Sequence, residues 1–293
     1  MTRPAKWFRS AAILALVVIL ASCGESTQDQ TASSSTAALQ AEIVASELLP
    51  GEQRLPLGIL DHNTPVNDAT VHVRAFLLGS NNSLQLKGES DAPFRGKGLE
   101  GKGLYVAHLT FDVAGSWFAE ITASRPNGEH GVIRLPFNVI ANPIVPVPGQ
   151  PAPRSHNQTL KDVPDISYID SGLPPDDMHQ LSIADAIAQH RPTLVIFGSP
   201  ALCVSRICGP EVHVVQSLEP PYRDRLTFIH IEPYQLKPQP DRSQLSPTLL
   251  EWRLQSEPWI FLIDSKGNIR SRFEGPTGAD EVQAAIEQLL ASP

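Results

Sequence analysis

Cysteine, methionine and basic charge are all scarce in this chain of 293 residues, and each scarcity narrows what it can do. Only Met1 and Met178 are methionines, so there is no methionine-rich tract of the kind that gathers soft copper. The three cysteines, Cys23, Cys203 and Cys208, are too few for a disulfide framework. Lysine and arginine number 23 against 31 acidic residues, a net charge of −8 that argues against a nucleic-acid partner. No internal repeat, phosphate-cradling glycine loop, nucleophile elbow or paired-histidine zinc signature is present. His62, His72, His108 and His130 are scattered, without the convergence a metal site demands.

The N-terminus carries Arg3, Lys6 and Arg9 ahead of an uncharged run from Ala11 to Ala21. That run is too short to cross a bilayer comfortably and suits the core of a signal peptide over residues 1–22. It ends in Leu20-Ala21-Ser22-Cys23-Gly24, which resembles the lipobox of bacterial lipoproteins. The resemblance implies cleavage before Cys23, lipidation of its thiol, and a protein anchored to a membrane outside the cytoplasm. Cleavage removes three basic residues and leaves 20 against the 31 acidic ones, a net of −11. Cys203 and Cys208 then remain as an even pair in an oxidising compartment, which points to a disulfide. Four residues separate them, too small a loop for much constraint on the unfolded chain, so redox or metal chemistry fits the pair better than stapling.

Two compositional breaks organise the chain. Residues 23–40, rich in Ser, Thr, Gln and Ala, read as a flexible tether. Residues 142–160 include Pro143, Pro146, Pro148, Pro151 and Pro153 and read as a stiff linker poorly able to join a sheet. Between them, 41–141 reads as β throughout, with strands expected at Arg54–Leu60, Thr70–Leu77, Leu104–Phe111, Trp117–Ala123 and Val132–Ile140. Val71, Val73 and Ala75 alternate with His72, Arg74 and Phe76, the period of a half-buried strand. The expectation is an all-β, immunoglobulin-like sandwich. The order Gly103-Leu104-Tyr105-Val106, strand, Gly115-Ser116-Trp117-Phe118 resembles the YtkA-like extracytoplasmic sandwich domains.

From residue 161 strands alternate with helices. Helices are expected over Leu181–Gln189, Pro210–Leu218, Pro247–Leu254 and Ala279–Leu290, and strands over Thr193–Phe197, Leu226–Ile231, Trp259–Asp264 and Asn268–Phe273. This is the pattern of an α/β sheet covered on both faces, with a Lys266-Gly267 hairpin at one edge. A buried strand empties into Gly198-Ser199-Pro200 and presents Cys203 and Cys208; Cys208-Gly209-Pro210 opens a helix; and Glu257-Pro258-Trp259 enters a strand. These three features together resemble the thioredoxin-like superfamily over residues 161–293. The resemblance implies a thioredoxin-like fold, Cys203 and Cys208 as the redox pair, and Pro258 as the cis-proline beside it.

Departures from that pattern are equally specific. Glu211 stands where the second motif cysteine is kept, Leu202 replaces the aromatic before the first, and the family's buried proton acceptor falls at Ile196. In a continuous helix, residues five apart lie ~8.6 Å apart, beyond the ~4.4–6.8 Å reach of a disulfide; a bridge requires residues 203–208 to be a loop or distorted turn. A thiol at a helix start feels the positive end of the dipole, which favours Cys208 as the more acidic thiol. Arg206 between the cysteines adds favourable charge.

Three functions compete. The first is thiol–disulfide exchange with an extracytoplasmic protein partner bearing thiols or a disulfide, with no cofactor. The second is copper delivery to a membrane metalloenzyme, since Sco-type copper chaperones share the fold and use two cysteines and a histidine. Cys203, Cys208 and His213 are the ligands that resemblance implies, with His230 better read as a satisfied strand histidine and Met178-His179 as a minor candidate. The third is a binding module with a structural bridge. A peroxiredoxin reading through Cys208 finds only Ser199-Pro200 as an echo.

Overall fold

The computed structural model describes residues 39–291. Cys23, the signal peptide and nearly all of the tether lie outside the described residues. Among those described, no helix is long and apolar enough to cross a membrane.

Alternating apolar residues build two antiparallel sheets face to face. One contains β1 (Gln40–Ile43), β2 (Gly51–Asp61), β3 (Thr64–Pro65), β6 (Phe94–Arg95) and β7 (Leu104–Phe111), ordered β1-β2-β7-β6 with β3 paired to β2. The other orders β5 (Leu84–Asp91), β4 (Thr70–Leu78), β8 (Gly115–Ser124) and β9 (His130–Val139) side by side. Val71, Val73 and Ala75 of β4 and Trp117, Ala119 and Ile121 of β8 turn inward onto Leu55, Leu57, Tyr105 and Phe111 of the facing sheet. Removing such side chains from water contributes about 1.5–3 kcal/mol each, which is why the inward parity fixes the register. The β-rich sandwich read from the sequence is therefore present. β5 escaped that reading because LQLKGESD lies at a sheet edge, mostly exposed, and carries no apolar period.

The rest of the chain forms a four-stranded mixed sheet. β10 (Thr193–Phe197) pairs in parallel with β11 (Thr227–Ile231) and antiparallel with β14 (Trp259–Ile263), which pairs antiparallel with β15 (Ile269–Glu274). β10 is buried at every position because both faces are covered. Leu194 and Ile196 face α2 (Cys208–Tyr222) and α4 (Ala279–Ala291). Val195 and Phe197 face the layer of α1 (Ile183–Ala188) and α3 (Pro247–Glu251). A small hairpin, β12 (Tyr234–Gln235) with β13 (Asp241–Leu245), follows β11.

Two sequence expectations need correction. The proline-rich stretch does join a sheet: Gly149 N donates to Ile269 O, Ile269 N to Gln150 O and Ala152 N to Gly267 O, and Pro151 bridges Asn268. Proline is tolerated there because this is the outer edge of β15, where its missing N–H is not needed; Val145 and Ala152 then bury into the core. The helix expected to stop at Leu218 runs through Pro220 and Pro221 to Tyr222. Each proline keeps a helical φ but loses its backbone bond and crowds the carbonyl four residues back, a cost offset by burial of Tyr222 and by Arg223 N donating to Glu219 O in the last turn.

The two halves share extensive contacts. Arg54 of β2 makes a bidentate pair with Glu281 of α4, at 2.9 and 3.1 Å. Leu99, from the loop between β6 and β7, is fully buried in the core of the mixed sheet beside Val214 of α2.

Candidate functional site

The loop leaving β10 is fixed from both sides before it reaches the cysteines. Ser199 N donates to Glu257 Oε2 at 2.9 Å, Ala201 N to Ser171 Oγ at 3.1 Å, Leu202 N to Ser199 Oγ at 3.2 Å and Cys203 N to Ser199 O at 3.3 Å. Residues 201–206 are turns, Arg206 takes a left-handed φ of 56°, and helix α2 starts at Cys208. The turn brings Cys203 and Cys208 to a Cα separation of 6.0 Å, and they are joined by a disulfide. Exposed Arg206 contributes its carbonyl, which accepts from Lys102 Nζ at 3.0 Å, so the β6–β7 loop also braces this turn.

Cys208 is the first residue of the 15-residue α2, and the helix has no side-chain cap, which leaves the first-turn N–H groups to the sulfur's surroundings. The two cysteines are both buried and differ only slightly in exposure. Cys208 is fully buried, whereas Cys203 is 8% exposed and neighbours Val204, itself 77% exposed. Gly198 packs against both Cys208 and Pro258: a Cβ there would lie 3.5 Å from Cys208 Cβ and 3.6 Å from Pro258 Cβ. The structure thus brings Pro258, after a cis Glu257–Pro258 bond, beside the cysteine pair.

Glu257 is the residue that sequence reasoning quoted but gave no role. One of its carboxylate oxygens and both sulfurs lie within 4.8 Å of one another. Burial pushes the Glu257 carboxyl up, against hydrogen bonds from Tyr234 Oη at 2.8 Å and Ser199 N that pull it down. Tyr234 comes from the β12–β13 hairpin, whose polar residues gave no strand signal. Ile196 is buried among apolar neighbours, and the acid near the sulfurs comes from the strand entry at Glu257.

His213 does not join the pair. It is exposed on α2 and lines a hollow with Asp176, Leu173, Pro200 and Gly209, and the acid-or-imidazole group that approaches the sulfurs is Glu257. Five residues along a helix from Cys208 carries His213 around the axis and up a turn, away from the first-turn sulfur. The ligand set Cys203, Cys208 and His213 is therefore not assembled, and the carboxylate in its place is a hard donor poorly matched to Cu(I).

Sequence reasoning missed a second cluster. Asp170, Asp176, His179 and His230 are all buried and offer donor atoms within 4.8 Å of one another. His230 is satisfied on both nitrogens, Nδ1 with Asp176 Oδ2 at 2.8 Å and Nε2 with Gly198 O at 2.7 Å. Burial disfavours its charged form, but Asp176 overrides this and pushes the imidazole up to about 9. Burial likewise opposes charge on Asp176, yet His179 and His230 hold its carboxyl well below the usual range. His230, read as a satisfied strand histidine, and the Met178-His179 dipeptide were the members visible in the sequence; the two aspartates sit in an irregular loop with no spacing rule.

No family model matches the chain, and no curated protein matches it. Among solved structures, a DUF4426 family protein from Pseudomonas aeruginosa is similar at a TM-score of 0.26 and 13% identity, covering 36% of this chain and 91% of its own. The PmoD soluble domain from a Methylocystis species is similar at a TM-score of 0.24 and 13% identity, covering 35% of this chain and 90% of its own.

Proposed function

We propose that the protein is an extracytoplasmic, lipid-anchored thiol–disulfide exchange protein, with a thioredoxin-like C-terminal domain acting through Cys203 and Cys208 and an immunoglobulin-like N-terminal domain that braces it. The single observation carrying this reading is the pair itself: a disulfide closed over a turn at the start of α2, between Cys208, fully buried, and Cys203, the less buried of the two at 8% exposure, with the Glu257 carboxylate beside both sulfurs. The strand order β11-β10-β14-β15, with one parallel and two antiparallel pairings, supports the thioredoxin-like assignment. The lipid anchor rests on the sequence around Cys23 alone.

In the exchange, a partner thiolate attacks Cys203 Sγ and the S–S bond breaks. Its electron pair leaves on Cys208 Sγ, the better leaving group because the helix start stabilises its thiolate. Glu257, protonated more readily because it is buried, delivers a proton to that sulfur. The partner's second thiol, losing its proton back to Glu257, attacks the mixed disulfide and releases Cys203. Overall the partner's thiolate and thiol become a disulfide, Cys208 becomes a thiol and Cys203 leaves as a thiolate that takes from solvent the proton the partner's first thiol released on ionising, so two electrons pass to the pair; the reverse sequence oxidises it. Leu173 and Val204, 96% and 77% exposed, supply apolar surface for a protein partner near the loop.

Trapping tests the division of labour. With oxidised glutathione as probe, Cys208→Ser is expected to accumulate a mixed disulfide at Cys203, and Cys203→Ser to react at least about tenfold more slowly. Equal trapping of both single variants contradicts the assignment of attack to Cys203. Copper delivery, the second reading from the sequence, is decided by Cu(I) titration of the reduced protein, where retention of a single tightly held ion would favour it.

A further inference from the structure

The buried His–Asp cluster is built as a cation site would be built, separately from the sulfurs. Both carboxylates are held by backbone amides: Gly172 N and Asp176 N donate to Asp170 at 2.6 and 2.8 Å, and Met178 N donates to Asp176 Oδ1 at 2.9 Å. His230 commits Nε2 to the Gly198 carbonyl, which leaves Nδ1 turned into the cluster. A metal-ligating imidazole is oriented in this way, with the second nitrogen donating to a backbone carbonyl.

The spacing inside the cluster adds a second line of support. His179 Nε2 stands 3.2 Å from Asp176 Oδ1 and 3.3 Å from Asp170 Oδ2. Charge-assisted hydrogen bonds run at ~2.7–2.9 Å, the distance that His230 Nδ1 keeps to Asp176 Oδ2 at 2.8 Å, so the wider spacing is that of His179 alone. Two ligands on a tetrahedral ion with bonds of ~2.0 Å lie ~3.3 Å apart. The two buried carboxylates pair with no lysine or arginine among the described residues, so the imidazole protons balance them when no cation is bound, and an entering cation would take the place of those protons. Access exists on both sides, since His179 and His230 line one hollow and Asp170 and Asp176 line another.

We infer that Asp170, Asp176, His179 and His230 form a binding site for one divalent first-row cation of the zinc class, held by two imidazoles and two carboxylates. The donor set is borderline-hard and four-fold, which suits Zn²⁺ and its analogue Co²⁺ and disfavours Cu(I). His230 sits one carbonyl away from Gly198, which packs on Cys208, so the ion also anchors the strand end from which the cysteine loop departs.

The test uses full chain carrying Cys23→Ser, Cys203→Ser and Cys208→Ser, stripped with a chelator, so that thiols contribute nothing and the result is independent of the exchange reading. Titration with Zn²⁺ is expected to give one ion per chain and a raised Tm, and Co²⁺ to give the visible absorption of a tetrahedral site. His179→Gln and Asp170→Asn, checked for native circular dichroism, are each expected to weaken Zn²⁺ binding at least 100-fold. No Zn²⁺ uptake and no Tm shift in the folded cysteine-free protein would overturn the site, as would undiminished binding in whichever of the two variants folds. If neither variant folds, the Co²⁺ spectrum decides: a tetrahedral band supports the site and its absence at saturating Co²⁺ rejects it.

Discussion

Glu211 sits fully buried in the first turn of α2, where its carboxylate oxygens make no close hydrogen bond and Thr277 is only a weak polar neighbour. Burial pushes its carboxyl well above the usual range, and the Arg54 charge and the Thr277 backbone and hydroxyl only partly offset this. Its folded state therefore holds a proton that the unfolded chain gives up, so stability is fully present below the ordinary carboxyl value near 4.5 and is lost as pH rises toward the folded value. Glu211→Gln keeps the shape and removes the titration. It should stabilise the protein by roughly 1–3 kcal/mol at neutral pH, with a gain that vanishes near pH 4; thermal melts across that range check it, and a gain independent of pH would contradict the burial argument. Glu257 makes the opposite case of an acid with work to do. Glu257→Gln should slow exchange with a small thiol by roughly 10- to 100-fold while leaving Tm nearly unchanged; stopped-flow rates measure it, and an unchanged rate removes Glu257 from the chemistry. The sequence made Cys203, Cys208 and Pro258 legible because their types and spacing announce themselves. Asp170, Asp176 and the role of Glu257 were not, because their placement depends on irregular loops that converge only in three dimensions.

Elements with a strong apolar period were readable almost to the residue. Leu104–Phe111 and Thr193–Phe197 coincide with β7 and β10, since burial of every second residue, or of every residue, leaves no competing register. Edge elements were not: β5 and the β12–β13 hairpin have mostly exposed, polar residues and are held by backbone pairing that composition does not encode. The loop from Gly96 to Gly103 shows how far an unremarkable segment can matter. Leu99 plugs the core of the other half and Lys102 holds the Arg206 carbonyl in the cysteine turn. Leu99→Ala should cost about 2–5 kcal/mol, measurable as a lowered denaturant midpoint. Because the loop also braces the cysteine turn, the same variant should speed reduction of the disulfide by dithiothreitol; unaltered reduction kinetics would show that the loop packs without bracing.

At the scale of the whole molecule, sandwich and mixed sheet are joined by charge as well as by packing. Glu47 accepts from Arg272 and from Ile144 N, Ser46 N donates to Glu274, and Arg54 reaches Glu281 and the Pro276 carbonyl. Arg54 and Glu281 are nearly buried, so losing one partner leaves the other uncompensated, a cost of about 3–5 kcal/mol for Arg54→Ala. The expected signature is a single thermal transition in the native protein and a lower, broader or split one in the variant, seen by calorimetry. Composition and linkers suggested two domains joined by a stiff spacer and left their contact open. That spacer is instead woven onto β15, because its few free N–H groups and its carbonyls meet an open sheet edge. A disulfide on a braced turn, with Cys208 fully buried at a helix start and Cys203 the less buried partner, is the arrangement behind the proposed exchange, and the reduction potential of the pair tests that proposal most directly. Equilibration in glutathione and dithiothreitol buffers, read by mass spectrometry, should place the pair between roughly −270 and −120 mV, among exchange proteins; a value below about −300 mV would mark an inert structural bridge and contradict the account.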